Sequence, residues 1–271
     1  MMRLIASGRI KNPRSFPAHR CSALIILFLL LLTVCSFGQA VDVTMSVNRP
    51  FMLAGETATL RVFGRIKTAL QPTSDRVFSW YVDVTNNKPG AVRVDWNTMV
   101  MQSSDNTQGF FSSGVNEGAN NRRGIYNTFL NLSGAGKSSP VELFNVRLTA
   151  LEEGAAVITV AAGTGQPNIS YDFIVAPSSG TTPYTGGDYT QASLTVSTVP
   201  EFVTPSKLVD LAASGRRLEY PTVTGFNHRV ETSTDLSTWT NIAGFFNSGL
   251  YTDATALPAV RRKYYRVRLI R

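Results

Sequence analysis

The sequence predicts an all-β protein in two parts, a β-sandwich followed by a small second β domain. Three observations carry that prediction. From Val41 onward no stretch of about ten residues keeps a 3.6-residue apolar period, whereas apolar and polar residues alternate again and again. The alternating runs are short and bounded by Gly, Pro, Asn and Ser clusters, the punctuation of strands joined by turns. A double-proline segment, Pro200–Pro205, then separates a long N-terminal part from a compact C-terminal one, which predicts a sandwich over 41–199, a semi-rigid linker over 200–205 and a β module over 206–271.

Residues 1–40 read as a signal peptide. Met1–Arg20 carries Arg3, Arg9, Lys11, Arg14 and Arg20 without an acid, Ala23–Val34 is continuously apolar, and Gly38-Gln39-Ala40 sets small residues at a cleavage position. The apolar run is shorter than the roughly 20 residues a spanning helix needs, so no membrane span is expected after cleavage. Cys35 follows Val34 rather than a small residue, which disfavours lipidation. Without residues 1–40, 21 basic residues face 18 acidic ones, so the formal +8 falls to +3 and the high pI belongs mostly to the leader. Cys21 and Cys35 both lie within the leader, so the mature part has neither a disulfide nor a thiolate to use.

The strands follow in order. Asp42–Asn48 alternates, Pro50–Glu56 turns, and Thr57–Arg65 places Ala58, Leu60 and Val62 on one face. Val77–Thr85 sets Phe78, Trp80, Val82 and Val84 on one face and Ser79, Tyr81 and Asp83 on the other, which predicts Trp80 in the core and Tyr81 toward solvent. Asn86–Gly90 has turn chemistry and Ala91–Met101 returns with Val92, Val94 and Trp96 sharing a face, so the two strands are expected to form a hairpin. Gln102–Ser139 reads as irregular loop. Val141–Ala150, Ala155–Ala161, Ile169–Ala176 and Tyr189–Ser197 complete the sandwich across a loop at Pro177–Asp188. In the C-terminal part, strands are expected at Lys207–Leu211, Arg216–Tyr220, His228–Thr232, Trp239–Ala243 and Tyr264–Ile270, with Trp239 anchoring the core.

Candidate chemistry is sparse. One histidine, His228, outlasts the leader, and it sits on an expected strand with no nucleophile elbow beside it, so an ordinary pairing histidine is expected and a multi-histidine zinc site is excluded. Gly134-Ala135-Gly136-Lys137-Ser138 lacks the Gly that a phosphate loop needs at 131, where Asn stands. Glu152-Glu153 are sequence neighbours whose side chains diverge, which suits a solvated turn better than an acid–base pair. Asp105-Asn106, Asn116-Glu117 and Asn120-Asn121 offer oxygens that calcium could use, but with no EF-hand or calcium-repeat spacing; no cofactor is otherwise expected. The C-terminal arginines, with Arg266 and Arg268 on one face of the last strand, could meet an anionic glycan or blunt an edge strand. Tyr81, Tyr184 and Tyr189 are the aromatics placed for sugar stacking. Nucleic acid is not expected, since the basic residues are not interleaved with exposed aromatics.

Two resemblances rest on particular residues. Asp42–Val62, a strand, Leu53-Ala54-Gly55-Glu56-Thr57 and a second strand, together with Glu142–Val160 (ELFNVRLTALEEGAAVITV), resembles the cohesin-like β-sandwiches of secreted bacterial proteins over roughly 41–199, and the same pattern fits another immunoglobulin-like sandwich. That resemblance implies a module that binds a dockerin-like protein and is akin to carbohydrate-binding sandwiches; no partner-contacting residue is matched. His228–Trp239, Tyr251-Thr252-Asp253 and Lys263–Val267 resemble a small C-terminal module of secreted bacterial proteins with a V-E-x-S-x-D-L-x-x-W hairpin, His228 standing where an aromatic is usual.

The reading is therefore a secreted or cell-surface protein, not an enzyme, that recognises a polysaccharide or protein partner, with Tyr81, Tyr184, Tyr189, Arg266 and Arg268 as ligand-binding candidates. A purely structural surface protein is the alternative, and a glycan-active enzyme the third.

Overall fold

The computed structural model describes residues 39–67, 76–101, 111–128, 137–164, 171–176, 184–205, 207–211, 215–254 and 262–271. Residues 1–38 of the expected leader, Asp105-Asn106, Gly134–Gly136 and most of the Pro177–Asp188 loop lie outside these.

The regular structure of the described residues is all strand. The strands are β1 (Val41–Val47), β2 (Phe51–Leu53), β3 (Thr57–Ile66), β4 (Arg76–Asn86), β5 (Val92–Met101), β6 (Phe111–Asn116), β7 (Arg122–Thr128), β8 (Lys137–Ser138), β9 (Val141–Ala150), β10 (Gly154–Ala162) and β11 (Phe173–Ala176). There follow β12 (Tyr184–Thr185), β13 (Gly187–Gln191), β14 (Ser193–Val199), β15 (Phe202–Val203), β16 (Lys207–Asp210), β17 (Arg216–Glu219), β18 (Asn227–Ser233), β19 (Thr240–Asn241), β20 (Leu250–Asp253) and β21 (Tyr264–Ile270).

Two sheets build a sandwich. One runs β13-β1-β3-β9-β5; the other runs β12-β11-β4-β10-β14-β2, with β7, β6 and β8 added at β4. β4 is the hub of the second sheet: Ser79–Val84 pairs with β7 while Val82–Asn86 pairs with β10 and Arg76–Trp80 with β11. Shared residues such as Val82 and Trp80 must use opposite edges for these neighbours. Ala58, Leu60 and Val62 of β3, Trp80, Val82 and Val84 of β4, and Val92, Val94 and Trp96 of β5 all enter one core, and the Trp80 ring stacks on Phe144 of the facing sheet at 5.9 Å. Period-two alternation places them there, because each strand buries one face.

Several expectations change. The turn Asn86–Gly90 does not close a hairpin: β4 and β5 belong to different sheets. Their apolar faces look at one another across the core, which edge-to-edge pairing would prevent. A register shift between β4 and β11 leaves Phe78 opposite no partner, so Val77 is fully buried in the place expected of Phe78, which is half-buried. Within the expected irregular region lies an ordered hairpin, β6–β7, where Gly114 has φ +77° and a Cβ would meet the Arg123 carbonyl at 2.6 Å. Pro200–Pro205 contains β15, paired with β21, and is thus part of a sheet.

The C-terminal part holds a sheet β15-β21-β18-β19 and a sheet β16-β17-β20 around Val203, Leu218, Tyr220, Phe226, Val230, Val267 and Leu269. Phe51, Leu53 and Val199 pack on this cluster. Trp239 is not its anchor. It is half-buried outside the cluster, its Nε1–H donates to the Leu236 carbonyl, and the Arg266 guanidinium lies 4.2 Å from its ring. His228 takes the central role instead: it is 1% exposed, stacks on Tyr220 at 5.8 Å, and its Nε2 accepts the Val223 N–H at 3.0 Å. That acceptor role puts the ring proton on Nδ1, which then donates to Asn247 Oδ1 at 3.3 Å.

A clamp joins the last residue to the sandwich. Arg271 lies 4.5 Å from the Phe226 ring and grips Glu56 through Nε at 2.8 Å and Nη2 at 2.9 Å. The Arg271 hydrogen bond holds the Glu56 carboxyl below its ordinary value despite burial, and the Leu53 N–H assists.

Two measurements check this packing. Truncating the stacked, doubly hydrogen-bonded ring in His228→Ala should cost about 2–4 kcal/mol in urea unfolding, whereas Trp239→Ala should cost less, the reverse of what alternation alone predicts. Because Glu56 is more acidic when folded, the clamp stabilises above the unfolded carboxyl value and fades as pH falls through the folded one. Thermal melts of Glu56→Gln and the parent should therefore differ at pH 7 and converge in strong acid, by roughly 1 kcal/mol or less since the pair is partly exposed. A gap independent of pH would show that the charge contributes nothing.

Candidate functional site

β5 ends its sheet, so one of its edges would offer bare N–H and C=O groups. Asparagine side chains answer them. Asn86 Nδ2 donates to the Val92 carbonyl at 2.7 Å; Asn120 Nδ2 donates to the Val94 carbonyl at 2.9 Å, and Asn120 Oδ1 accepts the Val94 N–H at 2.5 Å. Asn120 sits in the β6–β7 turn, where Gly118, Ala119 and Asn120 have φ of 66°, 39° and 65°. Asn tolerates the left-handed region and Gly is free there, but Ala119 is strained, held by the contacts around it. The Trp96 Nε1–H donates to the Asn120 carbonyl at 3.1 Å, and the Asn86 N–H to Asn121 Oδ1 at 2.8 Å.

Beyond Val94 the pairing of β5 with β9 breaks between Asp95 and Val100. The Thr98 hydroxyl spans the gap, donating to the Asp95 carbonyl at 2.7 Å and accepting the Arg147 N–H at 3.0 Å. This bulge and the β6–β7 turn frame a cleft of about 620 Å³ lined by Pro89, Arg93, Val94, Asp95, Trp96, Asn97, Thr98, Asn116, Gly118, Ala119, Asn120, Arg122 and Arg147.

Its electrostatics are uneven. Asp95 accepts from Arg93 at 2.8 Å, Arg147 at 3.2 Å and Thr149 at 2.5 Å. Burial pushes its carboxyl up, but the hydrogen bonds from Thr149, Arg93 and Arg147 outweigh burial and hold it below the ordinary value. Arg122 has no such partner among the described residues. Its guanidinium lies 5.5 Å from the Trp96 ring, Nη1 donates to the neutral Asn116 Oδ1 at 2.8 Å, and Nε is buried with nothing to accept from it. Burial pulls its pKa below the usual guanidinium range. Arginines 93, 122 and 147 against Asp95 alone leave the cleft cationic.

The residues singled out from sequence lie elsewhere. Tyr81 is 3% exposed, a correction to its expected solvent face: its hydroxyl donates to the Thr164 carbonyl, and Gly163 lies so close that a Cβ would stand 2.6 Å from ring atoms. Tyr189 donates its hydroxyl to Asp172 Oδ2 at 2.8 Å, and the Asp172 carbonyl accepts the Tyr81 N–H at 2.7 Å, so Asp172 links these two tyrosines. Burial, then the Asp172 charge, raises the Tyr189 pKa far above its ordinary value. Tyr184 forms β12 beside β11. Arg266 is on another sheet, between Phe202 at 4.5 Å and Trp239 at 4.2 Å and paired with the buried Glu231. Arg268 pairs with Glu201 at 2.6 Å. None of the five lines the cleft.

Sequence reasoning touched the cleft without assembling it. Asn116 and Asn120-Asn121 stood out as oxygen donors for calcium, but the Asn120 and Asn121 side-chain oxygens accept backbone N–H groups. No group of three or more His, Cys, Asp or Glu among the described residues is placed to hold a metal ion. The one legible hint of the turn was the run Gly118-Ala119-Asn120-Asn121.

No family model matches the chain, and no curated protein matches it. Solved structures similar to it include the seventh ScaB type I cohesin from Pseudobacteroides cellulosolvens, at 7% identity over 62% of this chain and 96% of that one with a TM-score of 0.41. A type II cohesin domain from the cellulosome of Acetivibrio cellulolyticus matches at 11% identity over 58% and 95%, TM-score 0.39. A non-cellulosomal cohesin from Archaeoglobus fulgidus matches at 13% identity over 58% and 91%, TM-score 0.35. These are cohesins, the modules that the cadence of Asp42–Val62 resembles.

The Asn120 bridge makes a specific demand on the turn. Asn120→Ala removes the side-chain bonds to Val94 and puts at positive φ an alanine, which tolerates the left-handed region less well than asparagine, so it should cost about 2–4 kcal/mol in urea unfolding. Asn120→Asp keeps the acceptor and the tolerance for left-handed φ, and should cost less.

Proposed function

We propose that this chain is an exported, non-catalytic recognition module that holds a polysaccharide segment in the cleft between β5 and the β6–β7 turn. One observation carries the reading: a pre-shaped, hydrogen-bonding cleft of about 620 Å³ built on the edge strand of a rigid sandwich. Its lining is dominated by amide, hydroxyl and guanidinium groups, unlike the mostly apolar wall of a drug-like pocket, and such groups match vicinal sugar hydroxyls. Its size suits a few sugar units; a stable protein interface buries about 800 Å² per partner on a broader surface.

The described residues offer little for turnover. Both ring nitrogens of His228 are engaged inside the C-terminal core, Glu152 and Glu153 are exposed on a turn, and Asp95 is tied to two arginines and a threonine. General acid–base work needs a carboxyl or imidazole free to exchange its proton near neutral pH. The leader read over 1–40 fits export, with the mature N-terminus at Val41.

Retention of the full chain on a polysaccharide array tests the reading, with a dockerin module as the protein arm. Arg93→Ala combined with Asn97→Ala, both exposed on the cleft wall, should weaken polysaccharide retention about tenfold or more without changing the thermal midpoint by more than a few degrees. Binding to the dockerin alone would overturn the polysaccharide reading. Hydrolysis of a glycan that is lost on replacing a single carboxylate would overturn the non-catalytic one.

A further inference from the structure

The cleft has a charge preference that its shape alone does not state. Resting on the polysaccharide reading above, we propose that its ligand is an anionic sugar, a hexuronate unit whose carboxylate is met by Arg122 beside the Trp96 ring, with Arg93 and Arg147 at the rim. Two other ring-packed arginines of this protein, Arg266 and Arg271, make the comparison. Arg266 lies against Phe202 and Trp239 and is neutralised by Glu231; Arg271 lies against Phe226 and is neutralised by Glu56. In both, the aromatic ring orders the guanidinium plane and a carboxylate supplies the counter-charge.

Arg122 repeats the first half of that arrangement and omits the second. It is ordered against Trp96 and by Asn116, partly desolvated, with Nε buried and unpaired, and no carboxylate of the described residues reaches it. Asp95, the one acid in the lining, is already saturated by Arg93, Arg147 and Thr149. A desolvated guanidinium facing a cleft without its counter-ion is a site where an incoming carboxylate gains more than it would in open water. Phosphate or sulfate would satisfy the charge too, but the surrounding Asn97 and Asn116 provide neutral amide groups on the same lining, which suits a ring carrying hydroxyls next to its acid.

Calorimetric titration of the full chain separates the alternatives. The probes are tetragalacturonate, an alginate tetrasaccharide, a hyaluronan tetrasaccharide, the methyl esters of all three, neutral cellotetraose and tetraglutamate. At least one uronate should bind about tenfold or more tighter than its own ester, and its affinity should fall with added salt. Arg122→Gln should lose about tenfold or more, with Arg122→Lys recovering part of it. Asn97→Asp, an exposed change that adds a negative charge to the cleft wall, serves if Arg122→Gln fails to fold: it should weaken uronate binding by a larger factor than it weakens cellotetraose binding. Equal binding of acid and ester, binding unaffected by both Arg122→Gln and Asn97→Asp, or tetraglutamate binding as well as the sugars would overturn the proposal. Cellotetraose binding without any uronate would sink this inference and leave the recognition reading standing; no binding by any sugar would sink both.

Discussion

The structure turns on how strand β5 ends its sheet. A sandwich whose two sheets are open must do something with each outer strand, because a bare row of N–H and C=O groups invites pairing with another chain. Here the asparagine amide substitutes for a further strand: Asn120 offers Val94 both a donor and an acceptor, and Asn86 meets the Val92 carbonyl. The substitution requires residues 118–120 to run through left-handed backbone, and the strain at Ala119 is offset by the bonds that the turn makes to β5. The cleft is the consequence. A turn drawn against an edge strand whose ladder has just broken at Asp95 encloses space that a regular hairpin would fill.

Arginine does much of the work that disulfides do in other folds. With no cysteine after residue 40, flat guanidinium groups stack on Trp96, Phe202, Trp239 and Phe226 and tie strands that are distant in sequence. The sheets at the two ends of the chain meet through Phe51, Leu53 and Val199, and the Arg271–Glu56 pair closes that contact from the C-terminus. Counter-charge separates the roles of these arginines. Where Glu231 or Glu56 is present the group is part of the scaffold; at Arg122 the described residues offer an amide and no carboxylate, and the group lines the cleft.

The candidate site was poorly legible because each of its parts is ordinary in isolation. Trp96 shares a face with Val92 and Val94 and reads as core, which it is, at 8% exposed; that its indole edge meets a turn some two dozen residues away is a long-range fact. Asn116 and Asn120-Asn121 read as available oxygens because loop asparagines in a sequence carry no record of which backbone groups they answer. Tyr81 failed as a surface aromatic for the same reason: alternation placed it opposite Trp80 correctly, but Gly163, Thr164 and Tyr126 cover that face too.

What the sequence determined by itself is local. The all-β class, the position of most strands and the inward faces of β3 and β5 follow from period-two alternation, which a single strand imposes on its own side chains wherever it is later placed. The tertiary structure decided everything that depends on neighbours: that β4 and β5 face each other across the core instead of pairing, that the register shift puts Val77 and not Phe78 inside, that His228 and not Trp239 sits in the C-terminal core, and that Arg122 meets no acid among the described residues. Those outcomes rest on hydrogen bonds, contacts and counter-charges between residues tens of positions apart, and alternation along one strand carries no information about which strand, ring or carboxylate will lie beside it.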